Sequence, residues 1–223
     1  MQGAGRDTRE RLLEAAGRLF ADKGYRDATV RDICELAGTS VATINYHFGT
    51  KAKLYAEVLS SIFRHAMERY PVSPNSNGDT TPEDDFRAFV RAFLFRRLDP
   101  SRPEWHCRLL RREMLEPSAT MKTTARKSIQ RLRTELRRLL MELAADEASA
   151  EQIDLCAASV IGQCLYYHHD RHMMPPTLSQ LTRDSDGVEK VARHICEFSL
   201  MGIQSCGTAH NKTATARTGA IPQ

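Results

Sequence analysis

No uninterrupted apolar run in this 223-residue chain approaches the length needed to cross a bilayer, so a helical membrane span is excluded. The N-terminus, MQGAGRDTRERLLEAAGRLF, is charged and amphipathic rather than a secretory signal, and the expected location is the cytoplasm. Six cysteines, Cys34, Cys107, Cys156, Cys164, Cys196 and Cys206, contain no C-x-x-C pair. Four fall inside apolar helical segments, a pattern that favours reduced, buried thiols over a disulfide framework or a zinc ribbon. Nucleophile elbow, phosphate-binding loop and metal-ligand motif are absent, which leaves an enzyme reading without support. The net charge of +4 is modest for a nucleic-acid binder, and acidic residues are interspersed through the N-terminal third. Any phosphate contact must therefore come from a few placed donors and helix N-termini, with a salt-sensitive but not extreme affinity. The 41% apolar and 27% charged content is ordinary for a globular chain of one or two domains. No segment reads as a convincing strand, and the expected class is all-α.

What is present begins at residues 29–51, TVRDICELAGTSVATINYHFGTK. Thr29 is a good N-cap and Asp32 stands three residues on, so a helix should start there and run through Leu36, with Ile33, Leu36 and Ala37 on its inner face. Gly38 is the expected C-cap, because a residue without a Cβ takes a left-handed conformation at no steric cost, and Thr39 or Ser40 can cap the next helix. In that helix Ile44 and Phe48 point inward, which turns Ser40, Val41, Thr43, Asn45, Tyr46 and His47 outward or to the flanks. Two short helices around a tight turn, the second with a polar exposed face, are what a major-groove reader of duplex DNA needs. The competing reading is a packed trihelical unit with no ligand, since helical spacing alone is weak evidence.

The stretch resembles the DNA-binding domain of the TetR family of bacterial regulators, whose pattern is close to T-x-x-x-I-x-x-x-A-G-x-S-x-x-x-x-Y-x-x-F-x-x-K-x-x-L. The chain matches it at Thr29, Ile33, Ala37, Gly38, Ser40, Phe48, Lys51 and Leu54, and departs with Asn45 where the family most often has Tyr. Tyr46 supplies the aromatic hydroxyl next door. The resemblance implies Thr43, Asn45 and Tyr46 as contacts to base edges or nearby phosphates. It implies Thr29, Ser40, His47 and Lys51 as backbone clamps, and Thr39 and Val41 complete the expected DNA-binding set.

Helical periodicity organises the rest. A first helix spans about 8–23, with Leu12, Ala16 and Leu19 on a stripe that Leu13 and Phe20 widen, and Gly24 and Tyr25 end it. A fourth begins near Lys51 with Leu54, Val58 and Ile62 on one face and connects the reading unit to everything downstream. The expected divisions are 1–50 for the helix-turn-helix domain (motif 29–48), 51–70 for the connecting helix, 71–82 for a linker, PVSPNSNGDTTP, 83–206 for a C-terminal domain, and 207–223 for a disordered tail. Helices at 83–98, 104–115 and 118–144 should build the C-terminal bundle, the last with Ile129, Leu132, Leu136, Leu139 and Leu140 inward beneath a basic run, 122–138, that reads as a solvated face. Residues 151–167 are apolar around more than one face, and Val188, Val191, Ile195, Phe198 and Gly202 stripe the last helix. Helices about 151–171 and 187–205 are therefore expected to pair with their copies in a homodimer, which suits a palindromic double-stranded DNA operator. The alternative is that they close an intrachain core.

The runs RREMLEPS at 111–118, VIGQCLYYHHDR at 160–171 and HICEFSLMGI at 194–203 resemble, taken together, the branch of the family with a CecR/CerR-type C-terminal domain. That resemblance implies a pocket for a small organic effector and ligand-controlled release of DNA, most often from repression. Phe89, Phe93, Trp105, Arg112, Tyr166 and Tyr167 are the candidate walls and charge of such a pocket, against the plainer reading that each aromatic simply fills the core. His168, His169, Asp170 and His172 invite a metal, yet only His168 and His172 share a helical face, and a solvated helix end is the simpler account. No cofactor and no metal is expected. A non-inducible or architectural DNA-binding protein, in which the C-terminal bundle serves dimerisation alone, is the remaining alternative, with a helical enzyme behind it.

Overall fold

A computed structural model describes residues 2–71, 80–144, 148–169 and 174–206, without the side chains of 2–6, 124, 125, 127, 128 and 169. The expected tail at 207–223, most of the expected linker, and the side chains of His169, Asp170 and His172 lie outside the described residues. Those residues form ten helices and no strand: α1 (Gln2–Asp27), α2 (Val30–Ala37), α3 (Val41–Phe48), α4 (Lys51–Arg69), α5 (Pro82–Leu98), α6 (Glu104–Leu115), α7 (Ala119–Leu143), α8 (Ala150–His169), α9 (Pro176–Leu181) and α10 (Ser185–Ser205). They gather into two compact units, one of residues 1–68 with 101–129, the other of 69–100 with 130–223.

In the first unit α1 packs against α2 and against α6, a helix that lies far along the chain. Leu12, Phe20, Ile33, Ile44, Leu54, Leu59, Ile62 and Leu109 are fully buried in its core. Each such side chain contributes roughly 1.5–3 kcal/mol relative to an exposed one. Trp105 of α6 lies over Gly17 of α1, where any Cβ would run into its ring, and its indole N–H donates to Glu14 Oε1 at 3.0 Å. Arg108 pairs with Asp22 at 3.0 Å, so three successive turns of α1 meet α6. Helix α1 is interrupted at Gly24, whose φ of 84° and ψ of 169° belong to a region open in practice only to glycine. Glu113 is buried and accepts from the Tyr55 hydroxyl and from the Ser118 N–H and hydroxyl, each of the latter at 2.9 Å, which ties α4 to the turn after α6.

The second unit is built on α5, which Thr81 caps by accepting from the Asp84 N–H at 3.2 Å, with Pro82 and three carboxylates in the first turn. Its Phe86, Phe89, Val90, Phe93 and Leu94 are buried. Helix α10 packs against α5, α8 and α9, and α8 against α5. Asp184 caps α10 by accepting from the Gly187 N–H at 2.7 Å. The short α9 has no counterpart in the sequence reading. Six residues carry too little periodicity to register, and Pro175 and Pro176 read as the stop of the preceding helix although Pro is equally at home in a first turn.

Two inward assignments are corrected. Leu36 is 55% exposed, and the buried face of α2 is Ile33, Cys34 and Ala37. Ile129 is 49% exposed, whereas Leu132, Leu136, Leu139 and Leu140 are buried as expected. On α10 the expected stripe divides: Val188, Val191 and Ile195 are buried within the chain together with Ala192, Cys196, Ser199, Leu200 and Ile203, whereas Phe198, at 65%, and Gly202 are exposed. Helix α8 buries Ile153, Val160 and Cys164 and leaves Leu155 61% exposed.

Candidate nucleic-acid interface

The helix-turn-helix is set by its caps. Thr29 is in extended conformation and its hydroxyl accepts from the Asp32 N–H at 3.1 Å. Asp32 in turn accepts from the Lys23 ammonium at 2.9 Å, and that hydrogen bond, with those from Thr29, holds its carboxyl below the usual carboxylate range. Gly38 ends α2 in the left-handed region at φ 62°, donating to Glu35 O at 3.2 Å, while the Thr39 N–H donates to Cys34 O at 2.9 Å. Residues 38–40 thus suffice to turn the chain into α3.

Ser40 is the N-cap of α3, but its side chain meets the Thr43 hydroxyl at 3.0 Å instead of capping a backbone amide. The first amides of α3 have no intrahelical acceptor, and such groups attract anions. Ile44 and Phe48 are buried beneath the helix. Ser40, Val41, Asn45 and Tyr46 are exposed, with Tyr46 at 85%, and Thr43 and His47 flank them half-buried. The Tyr46 and His47 rings meet edge to face at 5.0 Å. Two exposed neighbours are absent from the sequence-based set. Ala42 carries no polar group to attract notice, and Thr50 accepts from the Lys53 N–H at 3.2 Å, a capping position legible in G-T-K just before α4.

Lys51 stands at the start of α4, where its ammonium donates to Arg26 O at 3.1 Å and lies 4.8 Å from the centre of the Tyr25 ring. It is therefore also a structural tie between α4 and the segment after Gly24. An ammonium has three donors, so this tie leaves capacity for a phosphate. Arg9 lies 5.3 Å over the Phe48 ring and pairs with Glu57, which braces α1 against the base of α3 and against α4.

The six residues considered for an effector pocket are divided between the two units. Trp105 and Arg112 stand on α6 in the first, Trp105 packed on α1 and Arg112 donating to Lys23 O at 3.4 Å. In the second, Phe89 and Phe93 are buried on α5 with ring centroids 6.2 Å apart, and the Arg97 guanidinium lies 3.9 Å over Phe93. Tyr166 and Tyr167, on α8, meet edge to face at 5.5 Å. Among the described residues no group of His, Cys, Asp and Glu is arranged to hold a metal ion, and no helix is long and apolar enough to cross a membrane.

Comparison with known proteins places these elements. Residues 12–58 match the family model for bacterial regulatory proteins of the tetR family, and residues 82–203 match the C-terminal domain of the HTH-type transcriptional dual regulator CecR. Among curated relatives, the HTH-type transcriptional repressor AcnR of Corynebacterium efficiens is 33% identical over 99 residues, 44% of this chain and 45% of that protein. The HTH-type transcriptional repressor KstR2 of Mycolicibacterium smegmatis is 37% identical over 62 residues, 28% of this chain and 30% of the relative. The match thus spans less than half the length of either. Among solved structures, a TetR-like transcriptional regulator from Rhodococcus sp. RHA1 superposes with a TM-score of 0.64 at 17% identity, covering 87% of this chain and 96% of that one. The fatty acid degradation regulator FadR from Bacillus halodurans does so with a TM-score of 0.62 at 16% identity, covering 86% and 94%. Each of these relatives is named as a regulator or repressor, and with the second model matching more than half of its length the chain belongs to the TetR family of bacterial transcriptional regulators, with a C-terminal domain of the CecR type.

Proposed function

We propose that the protein is a cytoplasmic, ligand-responsive repressor that binds a palindromic operator as a homodimer and is released from it by a small organic effector. The observation that carries the DNA reading is the exposed face of α3, where Tyr46 and Asn45 project from a helix anchored beneath by Ile44 and Phe48. Thr43, Asn45 and Tyr46 read base edges or adjacent phosphates, and Thr29, Thr39, Ser40, Val41, His47 and Lys51 set the register on the backbone. One eight-residue helix reads only a few base pairs, and a twofold dimer doubles that. Support for the dimer comes from α8 and α10, which leave Leu155, Phe198 and Met201 exposed, the first two lining an apolar groove between the helices.

For the effector, α5 and α8 pack together and carry Phe89, Phe93, Tyr166 and Tyr167, a wall suited to a flat, partly polar organic molecule. Trp105 and Arg112 are better accounted for by the packing of α6 on α1. The test is a mobility shift of the purified protein on DNA flanking its own gene, against competitor DNA, repeated across a panel of aromatic small molecules. Specific binding released by one compound is the expected result. Specific binding indifferent to every compound would remove the effector and leave a non-inducible DNA-binding protein, and the absence of specific binding would remove the operator.

A further inference from the structure

Cys156, in the second turn of α8, and Cys206, which caps the end of α10, bring their sulfurs to 2.9 Å across the end of the groove between the two helices. No other pair of cysteines among the described residues is joined in this way by a direct sulfur contact. Both are half-buried and both line that groove, whereas Cys164 and Cys196 are sealed in the core at 1% and 3% exposure. A contact of this length leaves less than an ångström to close to a bond of about 2.05 Å. The residues are fifty positions apart, so the fold and not the local chain has set them together.

We infer that Cys156 and Cys206 form a thiol pair that hydroperoxides convert to an intrachain disulfide, a modification site on the face between α8 and α10. Both thiols are half-buried on the same groove and either can meet the oxidant first, with the roles below exchanged; one such start is Cys206. Its sulfur, after losing its proton to solvent, attacks one peroxide oxygen; the S–O bond forms, the O–O bond breaks, and the departing hydroxide takes up a proton as water. The Cys156 sulfur then gives up its proton and attacks the sulfenic sulfur; the S–S bond forms and the S–O bond breaks, releasing a second water. Two thiols and one hydrogen peroxide thus give one disulfide and two waters.

The experiment uses the full chain treated with a small excess of hydrogen peroxide, then alkylated and digested without reduction for mass spectrometry. The expected result is one peptide pair joined through Cys156 and Cys206 in a product of monomer mass, reversed by dithiothreitol, with Cys107 still alkylated. Cys156→Ser and Cys206→Ser should each abolish the joined pair, and Cys107→Ser should leave it. Recovery of Cys156 and Cys206 as two separately alkylated or separately over-oxidised residues would overturn the inference. So would a linkage of doubled mass joining two copies, or one joining Cys164 to Cys196. The wild-type map decides the matter even where a serine variant fails to fold, and it does not depend on DNA binding.

Discussion

His106 is buried on α6 with its ring against Trp105 at 4.0 Å. Burial, then the Arg102 charge, pushes its imidazolium down to about 4 from an ordinary value of 6.5. Between those values the unfolded chain binds a proton that the folded chain refuses. Stability is therefore full above pH 6.5 and is lost progressively as the pH falls towards 4, by roughly 3 kcal/mol at most. His106→Gln, neutral throughout, should flatten the dependence of the urea midpoint on pH between 7 and 4.5; an equally steep slope in the variant would show that other groups carry it. At the reading head, Tyr46 is exposed and among the described residues meets only the His47 ring, while Lys51 is tied to Arg26 O and Tyr25. Tyr46→Phe should leave the melting temperature unchanged, weaken operator binding and shift the preferred sequence. Lys51→Ala should weaken binding to all sequences alike and also lower the melting temperature by a few degrees. A selection on randomised operators alongside thermal melts separates the two, and equal operator affinity in both variants would overturn both roles.

Among the elements, α6 departs furthest from what its neighbourhood in the sequence suggests. Its Trp105, Leu109 and Glu113 are buried; the hydrogen-bond partners of Trp105 and Glu113 named above come from α1, α4 and the turn that follows α6. Trp105→Ala should cost about 3–5 kcal/mol, because the ring fills the space over Gly17 and its loss also strands the Glu14 contact. Chemical denaturation followed by circular dichroism measures this, and a change under 1 kcal/mol would mean that α6 adds little to the unit. The amphipathic helices show how far periodicity reaches. In α7 the inner residues Leu132, Leu136, Leu139 and Leu140 follow from spacing alone, and Arg138 bridging Glu135 and Glu142 at 2.8 and 2.6 Å shows the basic run as a solvated, internally paired face. Ile129 and Leu36 escaped such reasoning because apolar character does not say which neighbour, if any, arrives to cover it.

For the whole molecule, the exposed Leu155, Phe198 and Met201 on two adjacent helices are the features on which the proposed homodimer rests. Phe198→Glu should convert a dimer to a monomer at micromolar concentration by sedimentation. It should weaken operator binding at least tenfold while the helical content holds, since the side chain is outside the intrachain core. A dimer that survives this change would move the subunit contact elsewhere. The all-α class, the two caps of the reading motif, the inward Ile44 and Phe48 and the outward Asn45 and Tyr46 were legible in the sequence. Each depends on interactions within a few residues: a hydroxyl reaching an amide three positions on, a glycine free to turn left-handed, and a period of 3.6. The docking of α6 on α1, the division of the aromatic candidates between two units, the meeting of Cys156 with Cys206, and the choice of which apolar faces stay bare were decided only by tertiary structure. These bring together residues tens of positions apart, and hydrophobic burial, being non-directional, selects how much surface is covered without naming in the local sequence what will cover it.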